Sequence, residues 1–331
     1  MSTHAMTRWS DIPPAVLEER EGGGGKPSVS YRSAGDRFIL VEYGPTEFDM
    51  NLNFFTQSVI DAITEHPVPG VIETAPGFRS IVFSLDGSVH VSDVIRQLDE
   101  VHTSVAPLDQ LVLPSRVIHL PAAFDDSVSR AAVERYVKSI RSDAVNCEGG
   151  NNIDYTLAYN GVADLRALID HVTSTDLWVG FLGFFPGLPF MFPLDPRHVL
   201  FAPKYNPTRT WTQEGAIGLG GPAYSIYPVE SPGGYQLLGR TIPIYDVQQR
   251  NRAFAESPVL FRPSDRVRFH EVEEEQLLAH FDEVHADSFE YRIEDEPFDV
   301  GAYQRWSESV SAEAEAWRAH RDEAAELTPV P

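Results

Sequence analysis

From Leu177 to Leu194, in "LWVGFLGFFPGLPFMFPL", the chain carries no charged side chain. A run of this length approaches the roughly 18 apolar residues that a bilayer-crossing helix needs. Its own residues forbid that outcome. Pro186, Pro189 and Pro193, together with Gly180, Gly183 and Gly187, would break a helix repeatedly and leave backbone groups unpaired in lipid. The pattern instead predicts a buried strand, Trp178 to Phe184, leading into an apolar Pro/Gly loop that ends at Asp195-Pro196-Arg197-His198. A loop so apolar needs cover or a ligand.

At 331 residues the chain exceeds one ordinary core, so two domains and a tail are expected. The opening "MSTHAMTRWSDIPP" has neither a basic nor an apolar signal region, which predicts no secretion signal and, by default, a cytoplasmic protein. A single cysteine, Cys147, excludes an intrachain disulfide and a cysteine-rich zinc site. Net charge is −23, and only Lys26, Lys138 and Lys204 are lysines. Nucleic acid is therefore not an expected partner, because a polyanion needs a neutralising patch. An acidic, lysine-poor surface fits a salt-adapted protein, whose self-repulsion is screened.

Residues 1–28 read as a flexible segment ending in "EGGGGKPS", with linker composition. It is not a phosphate loop, since Arg20 and Pro27 stand where Gly and Ser/Thr are required. Over 29–114, "DRFILVEYG" predicts a strand, "MNLNFFTQSVIDAITEH" a helix, "VIETAPGFRSIVFSL" two strands and "VHVSDVIRQLDEVHTSV" a second helix. That order describes a small α+β domain. Over 115–270, "SRVIHLPAAF" reads as a strand, "SVSRAAVERYVKSIRS" and "VADLRALIDHVTS" as helices, and short apolar runs between Gly/Pro turns as a β-barrel or sandwich. The tail, 271–331, reads as acidic helices with Tyr303, Trp306, Val310 and Trp317 near one face. Such a face either docks on the chain's own barrel or grips a partner.

Chemistry concentrates in three clusters, "FFPGLPFMFPLDPRH", "PKYNPTRTW" and "YPVESPGGYQLLGRT". Each joins an apolar loop to a few polar groups, the make-up of a small-molecule pocket. Asp195, Lys204, Arg209 and Tyr235 are expected to face one cavity. Lys204 is conspicuous in a lysine-poor chain: a compact ammonium suits a carboxylate or phosphate oxygen, although an exposed loop lysine would look the same. Gly233 and Gly234 allow close backbone approach, and Gln236 and Arg240 carry donors for a carbonyl or oxyanion; a plain β-turn would also use the glycine pair. Asp195 and His198 suit a base and its helper, or an Asp-Pro turn cap. Cys147 lacks an activating context and reads as structural. The eleven histidines show no metal-ligand spacing, so no metal is expected.

"LDPRH", "KYNPTRTW", "GLGG" and "SPGGYQLLGRT" resemble the carboxyltransferase region of urea carboxylase and its relatives, a family that includes the B subunit of 5-oxoprolinase, allophanate hydrolase subunit 1 and a sporulation-kinase inhibitor. "YRSAGDRFILVEYG", "LPSRVIHLPAAFDD" and the tail "PFDVGAYQRWSESVSAEAEAWRAHRDEAA" extend the resemblance over most of the chain. "FFPGLPF" departs from it and is similar to the corresponding loop of the 5-oxoprolinase branch.

The resemblance implies an α+β N-terminal domain, a cyclophilin-like β-barrel and a helical tail. It further implies half of a paired carboxyltransferase site, completed by a homologous second barrel subunit. In the urea carboxylase branch, carboxybiotin presented by a partner chain gives its carboxyl group to a nitrogen of urea, guanidine or another amide, and the complex consumes ATP. Biotin carboxylase and a biotin carrier are the implied partners; a third hydrolase subunit replaces them if the chain serves an ATP-dependent 5-oxoprolinase. A non-catalytic, kinase-binding regulator is the reading from another class. For carboxyl transfer, Lys204 and Arg209 are assigned to the anion, Asp195 or Glu230 to the proton, and Gly233, Gly234, Tyr235 and Gln236 to carbonyls. Arg240 is the reserve cation, and His198, Tyr205 and Asn206 complete the expected substrate contacts.

Overall fold

The computed structural model describes residues 15–331; the first part of the expected flexible segment 1–28 lies outside them. The described chain divides after Leu113 into two compact units, with Asp299–Ala302 joining the first.

In the first unit, β1 (Val16–Arg20), β2 (Val29–Ser33), β3 (Phe38–Tyr43), β4 (Val71–Pro76) and β5 (Ser80–Leu85) form an antiparallel sheet in the order β1-β2-β3-β5-β4. Alternating Ile39, Val41 and Tyr43 of β3 meet α1 (Met50–Glu65) and α2 (Val91–Ser104) through Phe55, Val59 and Leu98, as strand and helix periodicity require. A short strand, β6 (Val112–Leu113), follows. The stretch read as a flexible segment contains β1. Its glycines make a turn closed by Gly23 and Lys26, and Lys26 Nζ donates to the carbonyls of His102 and Thr103 at the end of α2. The "GGGGK" sequence is thus a helix-capping turn.

The second unit is built on β7 (Arg116–Phe124), after which come α3 (Ser127–Ser139), α4 (Ile153–Asn160) and α5 (Leu165–Thr173). The uncharged stretch is a hairpin of β8 (Leu177–Leu182) and β9 (Pro189–Pro193). Its second half pairs as a strand where a loop was expected, because Pro189 and Pro193 sit at the strand ends, where a missing N–H is tolerated. Then come β10 (Arg209–Thr212), β11 (Ala216–Gly220), β12 (Ala223–Ile226), β13 (Ser231–Gly233), β14 (Gln236–Thr241) and β15 (Arg266–Glu271). Seven strands close as β14-β11-β12-β9-β8-β15-β7, with β7 returning to β14. Alternate residues, among them Leu120, Val179, Ile217, Leu219, Tyr224, Ile226 and Val267, meet in one core. β10 and β13 form a separate two-stranded ribbon.

The tail is partly β: α6 (Glu274–His285) is followed by β16 (Arg292–Asp295), which pairs with β7, and by β17 (Phe298–Asp299). The last helical stretch breaks at Val310 into α7 (Val300–Ser309) and α8 (Ser311–Leu327). Trp317 Nε1 donates to the Val199 carbonyl at 2.9 Å and Tyr303 Oη to that of Leu194 at 3.0 Å. These aromatics hold the tail on its own unit. No helix among the described residues is long and apolar enough to cross a membrane.

Candidate functional site

The three clusters converge on one cavity of about 480 Å³ in the second unit. The tip of the β8–β9 hairpin gives Phe184, Phe185, Leu188 and Phe190; the loop before β10 gives Lys204 and Thr208; the β13 turn gives Pro232, Gly233, Gly234 and Tyr235. Ser225 and Tyr227 line it from β12 and beyond. The Tyr235 ring fits because its floor lacks side chains. A Cβ at Gly220 would lie 2.2 Å from the ring and one at Gly218 2.8 Å from Tyr235 Cβ, so "GLG" in β11 is a seat for Tyr235.

Lys204 Nζ stands 5.3 Å from the centre of the Tyr235 ring, a cation–π distance. Burial pushes the Tyr235 phenol up to about 12, so it remains a neutral hydroxyl near pH 7. The lining holds one cation, several hydroxyls and no carboxylate or imidazole. Phe184 forms part of the rim with φ at 68° and 71% of its surface exposed. A bulky residue in the left-handed region is strained, and such strain collects at ligand sites.

The four residues expected to share a cavity do not all do so. Lys204 and Tyr235 line it; Arg209 and Asp195 do not. Arg209, 1% exposed, stacks on Tyr205 at 4.4 Å and donates to the Tyr235 carbonyl at 2.6 Å and to Thr212 Oγ1. Its donors are thus spent on holding the Tyr235 turn. Asp195 lines a separate groove with Asp176, Arg268, Tyr303 and Trp306. Burial pushes the Asp195 carboxyl up, but hydrogen bonds from Arg197 and the charges of His198 and Arg197 together hold it below its ordinary value. It caps the following turn through the Arg197 N–H, and its carboxylate is 3.8 Å from His198 Nε2.

Gln236 is also committed: it accepts from Asn146 Nδ2 at 3.0 Å and donates to the Pro203 carbonyl at 2.7 Å, anchoring the Lys204 loop. Tyr205 is buried and donates to Asn152 Oδ1. Asn206 is exposed and its carbonyl accepts from Arg141. Arg240 lies over Phe281 and donates to the Glu214 carbonyl; burial lowers its pKa. Glu230 is exposed in the turn before β13 and is not part of the lining. Cys147 is buried 3.5 Å from Tyr205 Oη, its thiol pushed up by burial. Among the described residues no His/Cys/Asp/Glu group is arranged to hold a metal.

Thr208 and Tyr227 lie within the three clusters but are not singled out by the sequence, and Ser225 lies outside all three. The signal for Ser225 was present in "AYSIY", where one small polar residue alternates with apolar ones.

Residues 29–255 match the family described as carboxyltransferase domain, subdomain C and D. Urea amidolyase of Saccharomyces cerevisiae is 38% identical over 85% of this chain, and the putative urea carboxylase of Emericella nidulans is 30% identical over 95%. The alignments span 15% and 27% of those proteins. The crystal structure of Kluyveromyces lactis urea carboxylase superposes with a TM-score of 0.84, at 33% identity, over 96% of this chain and 29% of that one. The B subunit of 5-oxoprolinase from Bacillus subtilis is 27% identical over 75% of this chain and 95% of its own length.

Proposed function

Because the chain belongs to the carboxyltransferase subdomain C and D family, we propose that it forms half of the carboxyltransferase site of a biotin-dependent, urea-type carboxylase. The observation that carries this reading is Lys204, poised above Tyr235 in a cavity walled by apolar loops. A homologous second barrel, biotin carboxylase and a biotin carrier are the partners this reading requires, with ATP consumed elsewhere in the complex.

The residues present suit the ureido ring of a carrier-bound biotin: a largely apolar wall, one ammonium and buried hydroxyls. When bound, carboxybiotin supplies the carboxyl group. The Lys204 ammonium holds a carboxylate or carbon dioxide by point-charge attraction, strengthened where water is excluded. Lys204 is exposed in this chain, so the apolar wall of Phe185, Leu188 and Phe190 keeps out water, which otherwise consumes the donor, once the second barrel covers the site. Tyr235, neutral and fixed on its glycine floor, donates to a carbonyl oxygen. Arg209 and Gln236 serve as positioning residues, one holding the Tyr235 turn and the other the Lys204 loop. The cavity carries no group of ordinary basicity, so the nitrogen's proton leaves to a group outside the lining. Glu230, exposed in the turn before β13, is this chain's remaining candidate; Asp195, held by Arg197 in a separate groove, is not placed to take it.

ATP consumption by the complex reconstituted with a biotin carboxylase tests the reading against urea, guanidine and 5-oxoproline. Stimulation by urea or guanidine, dependent on biotin, is expected. Biotin-independent stimulation by 5-oxoproline alone would instead favour a lactam hydrolase, the alternative for which the "FFPGLPF" wall speaks.

A further inference from the structure

Residues of β12 alternate: Tyr224 and Ile226 enter the barrel core, so Ser225 between them faces the other side of the sheet. That side carries the cavity. Ser225 is 1% exposed, it lines the cavity, and its Oγ has no hydrogen-bond partner. Among the described residues the Tyr235 phenol is the one group its hydroxyl reaches, in a long contact that lowers a phenol pKa raised by burial but is too poor in geometry to satisfy it. Tyr224 Oη and Ser231 Oγ are likewise buried without partners, but those residues do not line the cavity. Buried hydroxyls are almost always paired, and an unpaired one in a cavity wall is open to a partner brought by a ligand or a water.

The surrounding chemistry narrows the ligand. One ammonium and no carboxylate of this chain face the space, so this half of the site repels a cationic head such as guanidinium. A neutral amide meets donors for its carbonyl at Lys204 and Tyr235, and at Ser225 a hydroxyl that both donates and accepts.

We propose that Ser225 is a ligand-orienting residue of this cavity, its Oγ hydrogen-bonding an uncharged planar amide held beside Lys204 and Tyr235. The proposal rests on the carboxyl-transfer reading for the identity of the amide, and on geometry alone for the hydrogen bond. The test compares the purified full chain with Ser225→Ala, measuring thermal midpoint and the binding of urea, biotin, 5-oxoproline and guanidinium by titration. Ser225→Ala should keep or raise the midpoint, since it removes an unpaired buried hydroxyl, and should weaken the neutral probe that binds by about 3- to 10-fold, the worth of one hydrogen bond. In the reconstituted complex the KM for the amide should rise by a similar factor with kcat less affected.

A midpoint several degrees lower in Ser225→Ala, parent-like affinity, tighter binding of guanidinium than of urea, or no binding of any probe by the parent would each overturn it. Carboxylation unaffected by Ser225→Ala removes the inference and leaves the carboxyl-transfer reading standing. Ser225-dependent binding of biotin or 5-oxoproline, without carboxylation by the complex, does the reverse.

Discussion

Tyr235 rests on Gly220, where an added Cβ would lie 2.2 Å from the ring. Gly220→Ala must therefore displace the phenol that Lys204 overlies, at a cost of about 1–3 kcal/mol for overpacking. A barrel that still folds, with a lower midpoint and weakened ligand binding, is the expected result. Thermal unfolding and titration of one preparation check both.

Phe184 adopts φ of 68°. Asparagine tolerates that region far better, so Phe184→Asn should raise stability by about 1 kcal/mol while stripping an apolar wall from the cavity rim. Denaturant unfolding should show a higher midpoint alongside poorer ligand affinity.

Gln236 bridges Asn146 and the Pro203 carbonyl. Gln236→Leu leaves the buried Asn146 amide and the half-buried Pro203 carbonyl unpaired and should destabilise by about 1–3 kcal/mol. Because Pro203 precedes Lys204, amide exchange in the 203–208 loop should rise as well.

His171 packs at a tilt on Trp317, ring centres 4.4 Å apart, and is set edge-on to His198. Burial first, and then the charge of His198, lower its pKa to about 4. Between its ordinary 6.5 and 4 the unfolded chain binds a proton that the folded chain refuses, so stability falls as pH drops through that window. His102 of the first unit, lowered to about 4 chiefly by burial, adds to the same limb. His171→Phe keeps a ring against Trp317 and should make the acid loss shallower; unfolding free energy measured from pH 7 to pH 4 reads this directly.

Much of the fold is legible in the residues. The alternation in "FILVEY" and the helical spacing in "NLNFFTQSVIDAI" give β3 and α1, because local periodicity and burial agree there. α4, "IDYTLAYN", is not legible, since it packs against α8 and its buried Asn160 exchanges hydrogen bonds with the Phe201 backbone, contacts distant in sequence. The three motif clusters locate the cavity because loops rich in Gly and Pro carry it. They do not assign roles within it. Arg209, Gln236 and Asp195 have the side chains a site would use, yet each spends them on neighbouring protein groups, and residue type does not say which way a donor turns. Ser225 has the converse history: unremarkable in the sequence, it is singled out by the absence of a partner.

The most direct test of the carboxyl-transfer account is the rate of biotin-dependent carboxylation by the reconstituted complex carrying Lys204→Ala, with Lys204→Arg beside it, in high salt where surface charges are screened. The account expects the alanine variant to fold normally and to lose turnover by about 100-fold, the scale of removing one charge-stabilising donor, with arginine restoring only part because its planar fork does not replace a compact ammonium. Parent-like turnover by Lys204→Ala under those conditions would contradict it.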